Sequence, residues 1–226
     1  MTTLNIQTTT NIDDAAEFVA QSIINQLELG KHVLFFATGG SSIAVGARIA
    51  ELLRENQKHN LTQNLTVLLT DERYGPINHV DSNFSKLLEK GFTLPFAKVI
   101  PTLTGESREA ATEKFNKILL QEFKTADYKI GLFGFGSDGH TAGILPGSVA
   151  TESKDLACGY DTPVFSRITM TFNAIKQLDE VVVWAQGEDK WPVFESLEKD
   201  LDLVKQPVQI LKQVPLLTFF TDYQAG

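Results

Sequence analysis

The sequence predicts an α/β fold in which a mainly parallel sheet is flanked by helices. Short apolar runs alternate along the chain with segments of helical periodicity, the order expected when parallel strands are joined by crossover helices. Among those runs, HVLFFA at 32–37 reads as a candidate central strand and the apolar run at 128–135 as a buried one. With 226 residues, 42% of them hydrophobic, the chain is long enough for one large core. No repeat, low-complexity tract or long linker divides it, so residues 1–226 read as a single α/β domain.

Asp13 and Asp14 start a first helix whose apolar face includes Phe18, Val19, Ile23 and Leu27, with Gly30 as its stop. Residues 32–37 form a central strand, 38–42 a turn, and 43–55 a helix with Ile43, Ala47, Ala50 and Leu53 on one face. A strand follows at 65–70, helices at 82–90 and 106–124, and a short strand at 98–102 between them. The run 128–135 is a buried strand. Residues 149–166 read as a long loop able to carry a lid. Strands at 168–172, 181–185 and 216–221 complete the sheet. A helix at 188–199 takes Pro192 in its first turn, where a missing N–H is tolerated.

The formal net charge is −8, which disfavours a nucleic-acid or anionic-membrane partner. It does not exclude a small anionic substrate, because local positive groups can override the global field. The N-terminus lacks a signal-peptide pattern, and Cys158 is the only cysteine, so no internal disulfide forms and a cytoplasmic location is expected. There is no CxxC, HExxH or paired-histidine spacing, so neither a metal nor a cofactor is expected.

Three motifs each follow an expected strand. The first is Thr38-Gly39-Gly40-Ser41-Ser42. Its glycines allow close backbone approach, its serines can cap the helix, and a helix N-terminus favours phosphate. It reads equally as a tight turn with a serine cap; the GK[ST] ending of a nucleotide P-loop is absent. The second is Thr70-Asp71-Glu72-Arg73-Tyr74-Gly75-Pro76, followed by His79, Asp81, Ser82, Asn83 and Phe84. Arg73 can grip a phosphate in a fork, and a strand-end carboxylate can hold a sugar hydroxyl or act as a base. The same residues also fit a surface ion-pair cluster with an Asp/Ser helix cap. In the third, GLFGFGSDGHTAGILPGS at 131–148, Asp138 and His140 flank one glycine. A histidine there can move protons near neutral pH, and a carboxylate beside it can fix its tautomer. Gly134 to Gly139 match GxGxxG, but Pro146 and Gly147 come too soon for the helix of a dinucleotide site. Arg167 reads either as a second phosphate clamp or as an ordinary arginine at a strand's start. His32 and His59 read as a residue at a strand's start and a solvated helix-end residue.

Together, TGGSS, TDERYGP…HVDSNF, GFGSDGHTAGILPGS, RITMTF and VVVWAQGEDKW closely resemble the 6-phosphogluconolactonase family. More broadly they are similar to the Rossmann-like sugar-phosphate fold shared with glucosamine-6-phosphate deaminase and ribose-5-phosphate isomerase. The resemblance implies hydrolysis of 6-phospho-D-glucono-1,5-lactone in the pentose phosphate pathway without a metal. It implies phosphate binding by Gly39, Gly40, Ser41, Ser42, Arg73 and Arg167. It also implies that His140 is the catalytic base, with Asp138 nearby and Asp71 facing the sugar. Backbone N–H groups at 136–139 are the expected donors to an oxyanion.

Gly143-Ile144-Leu145 departs from the family's usual Ser-Leu-Phe type of run, and the strand at 216–221 lacks a common tryptophan. Leu145 stands where the deaminases carry a glutamate, and Arg73 where they carry a tyrosine, which argues against amino-sugar isomerisation. The alternatives are a sugar-phosphate isomerase or deaminase with Asp71 as base, or a non-catalytic sugar-phosphate sensor. The expected partner is a phosphorylated sugar lactone, with no nucleic acid and no membrane.

Overall fold

The computed structural model describes residues 5–55 and 61–224; His59 lies outside them. The chain begins with β1 (Asn5–Thr8) and α1 (Ile12–Glu28), followed by β2 (Val33–Ala37) and α2 (Ile43–Glu55). Next come β3 (Leu65–Leu69), β4 (Asp71–Arg73), α3 (Asn83–Glu89), β5 (Lys98–Val99) and α4 (Arg108–Thr125). After β6 (Tyr128–Phe133) stand β7 (Ala157–Asp161), β8 (Ser166–Met170) and α5 (Phe172–Ile175). The chain closes with β9 (Glu180–Ala185), α6 (Trp191–Ser196) and β10 (Leu216–Thr221).

Seven strands form one sheet in the order β1-β10-β9-β6-β2-β3-β5, and every pair in it is parallel. From β2 the chain builds outward through β3 and β5, then returns to place β6 on the other side of β2. The β2/β6 boundary is therefore a topological switch point, where loops leave neighbouring strands in opposite directions and open a crevice.

Alternate residues of the central strands feed two cores. Val33, Phe35 and Ala37 pack with Ile130, Leu132, Val182 and Trp184 beneath α1, α2 and Leu87 of α3. Leu34 and Phe36 pack with Phe133, Val181, Val183 and Phe219 beneath α4, α5, α6 and the 3-10 turns of Pro207–Gln213. Burial of both faces explains why the strands read as continuous apolar runs.

Several boundaries differ from expectation. Asn11, not Asp13 or Asp14, caps α1 by accepting from the Asp13 N–H. Phe18 is 37% exposed. The buried stripe of α2 is Val45, Ile49, Ala50 and Leu53, so Ile43 and Ala47 sit at its margin. The helix expected at 188–199 is a 3-10 turn, Glu188–Lys190, followed by the short α6, with Pro192 in its first turn. The strand expected at 168–172 ends at Met170, because the Thr171 carbonyl accepts from the Ala174 and Ile175 N–H groups and starts α5.

Residues 149–166 do not form a long loop. They contain β7, which pairs antiparallel with β8, and β8 pairs antiparallel with β4 in a second sheet of three strands. Asn116 Oδ1 accepts from the Leu156 and Ala157 N–H groups at 2.9 and 3.2 Å and anchors the start of β7 on α4. Among the described residues no helix is long and apolar enough to cross a membrane.

Candidate active site

A cleft of about 300 Å³ opens at the carboxyl ends of β2, β3 and β6. Gly39, Gly40, Ser41, Ser42, Asp71, Arg73, His140 and Arg167 all line it, so segments far apart in sequence converge on one space. Thr38, Asn83, Gly134, Gly136, Ala142, Gly143 and Lys190 also contribute to its wall.

The turn after β2 is a 3-10 turn, Gly40–Ser42, that runs into α2. No serine side chain caps it, contrary to the expected serine cap, and Ser42 Oγ is buried without a hydrogen-bond partner. The uncapped 3-10 turn that leads into the 13-residue α2 thus lines the cleft, an arrangement that favours an anion. Gly39 has to be glycine, because a Cβ there would lie 2.2 Å from Asn83 Oδ1.

β4 separates its two carboxylates by alternation. Asp71 and Arg73 face Thr169 and Arg167 across the β4–β8 pair, and Glu72 lies between them on the opposite face. Glu72 accepts from the Arg73 and Asn83 N–H groups at 2.8 and 2.6 Å, from the Phe84 N–H at 3.0 Å and from Ser82 Oγ at 2.9 Å. It is a buried clamp on the start of α3, not part of a surface ion-pair cluster. Burial pushes its carboxyl above the usual range despite those four hydrogen bonds. Ser82 does cap α3, accepting from the Ser85 N–H. The clamp places Asn83, whose Nδ2 donates to the Asp71 carbonyl at 3.1 Å.

Asp71 is almost fully enclosed. Thr70 Oγ1 donates to its Oδ1 at 3.2 Å, and Arg167 Nη1 lies 3.4 Å from its Oδ2. Arg73 and Arg167 are direct partners on paired strands, and among the described residues the Nε of each is buried without a hydrogen-bond acceptor. Lys190, which sequence reasoning did not assign, lines the cleft and donates to the Gln186 carbonyl at 2.5 Å. Its signal was its place just after a strand end, the position shared by the assigned residues. Three cations and one carboxylate therefore line the cleft, a positive locality in a chain of net charge −8.

His140 stands on the turn after β6. Asp138 does not line the cleft; its Oδ1 lies 2.5 Å from His140 Nδ1 and accepts the His140 N–H at 3.1 Å. Burial raises the Asp138 carboxyl, but the hydrogen bond from the His140 backbone and the adjacent imidazole outweigh it and leave a net lowering. An ionised carboxylate only accepts, so the contact assigns a proton to Nδ1, and the neutral tautomer consistent with it has its lone pair on Nε2. Gly136 leaves room for this pair, since a Cβ there would fall 2.4 Å from Nδ1.

The Gly136 and Gly139 N–H groups donate to the His140 and Gly136 carbonyls at 3.0 and 2.9 Å, so the turn itself uses these two expected oxyanion donors. A tight turn of β-bridges, Phe135 with Thr141 and Thr141 with Ile144, replaces the helix a dinucleotide site needs. Among the described residues no group of three or more His, Cys, Asp or Glu side chains could hold a metal ion.

Fold and cleft together define an open parallel-sheet protein with a cation-lined site at its switch point. Residues 7–218 match the family model described as glucosamine-6-phosphate isomerases/6-phosphogluconolactonase, and the chain belongs to that family. It is 28% identical to a 6-phosphogluconolactonase of Neisseria meningitidis serogroup A over 207 residues, covering 82% of this chain and 84% of that protein. It is 26% identical to the 6-phosphogluconolactonase of Thermotoga maritima over 220 residues, covering 92% and 90%. A match at 28% identity to a 6-phosphogluconolactonase of Chlamydia pneumoniae covers 56% of this chain and 50% of that protein. The crystal structure of the Thermotoga maritima enzyme superposes with a TM-score of 0.80 at 23% identity, over 98% of this chain and 99% of that one, and shows the same fold.

Proposed function

We propose that this protein hydrolyses 6-phospho-D-glucono-1,5-lactone to 6-phosphogluconate in the pentose phosphate pathway. The observation that carries the reading is one cleft shared by a carboxylate-oriented imidazole and a helix N-terminus flanked by Arg73, Arg167 and Lys190. The 6-phosphoryl group docks on Gly39, Gly40, Ser41 and Ser42 and on the two arginines, which brings the lactone carbonyl to His140. His140 Nε2 takes a proton from water as that water attacks the carbonyl carbon. Collapse of the tetrahedral adduct breaks the bond to the ring oxygen, and the imidazolium returns the proton to that oxygen. Asp138 holds the productive tautomer and balances the imidazolium charge. Asp71, held by Arg167, orients a sugar hydroxyl.

A cytoplasmic location belongs to the same proposal, in keeping with the free Cys158. The test is hydrolysis of the phosphorylated lactone against its spontaneous rate. His140→Ala is expected to lower kcat by about 10²–10⁴-fold while the affinity for 6-phosphogluconate holds, because the phosphoryl group is bound elsewhere. A near-normal kcat removes His140 from the mechanism. Turnover of glucosamine 6-phosphate in a parallel assay would instead favour the isomerase branch of the family.

A further inference from the structure

Phe165 has no role in the reading above and does not line the cleft. Its ring centroid lies 4.4 Å from Arg73 Cζ and 5.7 Å from Arg167 Cζ, and both distances are inside the reach of a cation–π contact. We infer that Phe165 is a positioning residue of the anion site: its ring holds the two guanidiniums toward the cleft and so sets the preference for a phosphoryl group. The inference rests on the reading of Arg73 and Arg167 as phosphate ligands.

Arg73 and Arg167 sit directly opposite each other on β4 and β8, and like charges so placed repel. Their other contacts are weak. Arg73 Nη1 reaches the Asp81 carbonyl at 3.5 Å, and Arg167 Nη1 reaches Asp71 at 3.4 Å. A second carboxylate would hold the pair but would cancel charge and consume donors. A phenyl ring attracts both cations through its quadrupole and uses none of their N–H groups, so the donors not engaged by the Asp81 carbonyl and Asp71 stay available for phosphoryl oxygens.

The ring is also placed by a built turn. Thr162 Oγ1 accepts from the Phe165 N–H at 3.0 Å and donates to the Phe165 carbonyl at 2.8 Å, and the Thr162 N–H donates to that carbonyl at 2.9 Å. On the next residue, the Ser166 carbonyl accepts from the Tyr74 N–H at 2.8 Å and ties the turn to the strand that carries Arg73. Phe165 is thus fixed relative to both arginines by backbone contacts independent of its side chain.

Inorganic phosphate and 6-phosphogluconate are titrated calorimetrically into the wild type, Phe165→Leu, Phe165→Tyr, Arg73→Ala and the Phe165→Leu/Arg73→Ala double variant. Hydrolysis is followed with phosphorylated and unphosphorylated gluconolactone. Phe165→Leu is expected to weaken phosphate about fivefold and to raise KM for the phosphorylated lactone alike, with kcat changed by less than about twofold. The loss is confined to the phosphorylated ligand, is recovered by Phe165→Tyr, and vanishes when Arg73 is already alanine. Phe165→Met replaces the leucine variant if the latter lowers the melting temperature.

The inference fails if Phe165→Leu binds phosphate like the wild type, if tyrosine recovers no more than leucine, or if both substrates lose kcat equally. Phosphate binding that depends on Arg73 and Phe165 in a protein that hydrolyses no lactone overturns the proposed activity and leaves the inference standing. Lactone hydrolysis and Arg73-dependent binding that ignore Phe165 overturn the inference alone. A wild type that binds neither phosphate nor 6-phosphogluconate overturns both.

Discussion

Adjacent carboxylates take opposite roles here because a strand sends successive side chains to opposite faces. Asp71 looks into the cleft beside Arg167, while Glu72 turns inward and ties down the start of α3. The segment TDE therefore named two acids, but which one faces the cleft depended on register. His140 and Asp138 needed no such information, because two residues apart on a turn already bring carboxylate and imidazole within reach. Lys190 stayed unassigned because a lysine after GED also fits a solvated helix start; only its place at the cleft singles it out. The His140–Asp138 contact has a pH signature. The native Asp138 carboxyl sits below its ordinary value. A depressed carboxyl stabilises the native state above the unfolded value of about 3.9 and loses that effect as pH falls through the native value. The urea midpoint of Asp138→Asn is expected to lie below wild type at neutral pH and to converge with it below about pH 4. A gap that persists into acid would mean that packing, not charge, sets Asp138's contribution. At pH 7 the same variant is expected to lose at least about tenfold in kcat, because an amide can donate to Nδ1 and stabilise the wrong tautomer.

Among the elements, the loop from Ala142 to Gly147 shows how backbone conformation serves the site. Ala142 and Gly143 both adopt positive φ, 50° and 72°. Thr169 Oγ1 donates to the Ala142 carbonyl, and Tyr160 OH to the Gly143 carbonyl at 2.5 Å, so β7 and β8 hold the loop against the cleft. A Cβ on Gly143 would fall 2.6 Å from Asp71 Oδ2, whereas one on Gly147, at φ 67°, meets nothing within 4 Å. Each Gly→Ala change is expected to cost about 1–2 kcal/mol from the left-handed backbone alone. Gly143→Ala is expected in addition to displace Asp71 and lower kcat/KM by about tenfold or more, and Gly147→Ala to leave it near wild type. Equal activity losses in the two variants would refute a local effect on Asp71. The elements legible in the sequence were those with enough apolar residues to show a pattern: β2, β3, β5, β6, β8, β9 and β10 and the helices α1 to α4. β1, β4 and β7 were not legible. DER is three residues long and polar, and ACGYD offers little alternation, so both are strands only because β8 pairs with them. Tertiary pairing also turned the expected lid region into a fixed hairpin.

At the scale of the whole molecule, a chain of net charge −8 collects three cations at the point where the strand order of its parallel sheet reverses. The strand order makes this possible, because loops after β2, β3 and β6 emerge at the same end of the sheet. Ligand binding there has to register on global stability, since a ligand held by several separate elements of the native fold binds the unfolded chain negligibly. With free 6-phosphogluconate at 100 times its dissociation constant, the native state gains about 2.7 kcal/mol. At roughly 2–4 °C per kcal/mol for a chain of this size, the melting temperature is expected to rise by about 5–10 °C. Unphosphorylated gluconate at the same concentration is expected to give a much smaller rise, because it offers nothing to the guanidiniums, and Arg73→Ala is expected to erase most of the difference. The rise and the lactone hydrolysis are both expected to survive exhaustive EDTA treatment, since no described group of three His, Cys, Asp or Glu side chains converges on a metal-binding geometry. Differential scanning fluorimetry on the two proteins with the two acids, with and without chelator, reads all of these terms. A shift that is equal for both acids would show that the sugar, not the phosphoryl group, carries the affinity. A shift or activity lost to EDTA and restored by one divalent ion would place a metal in the site.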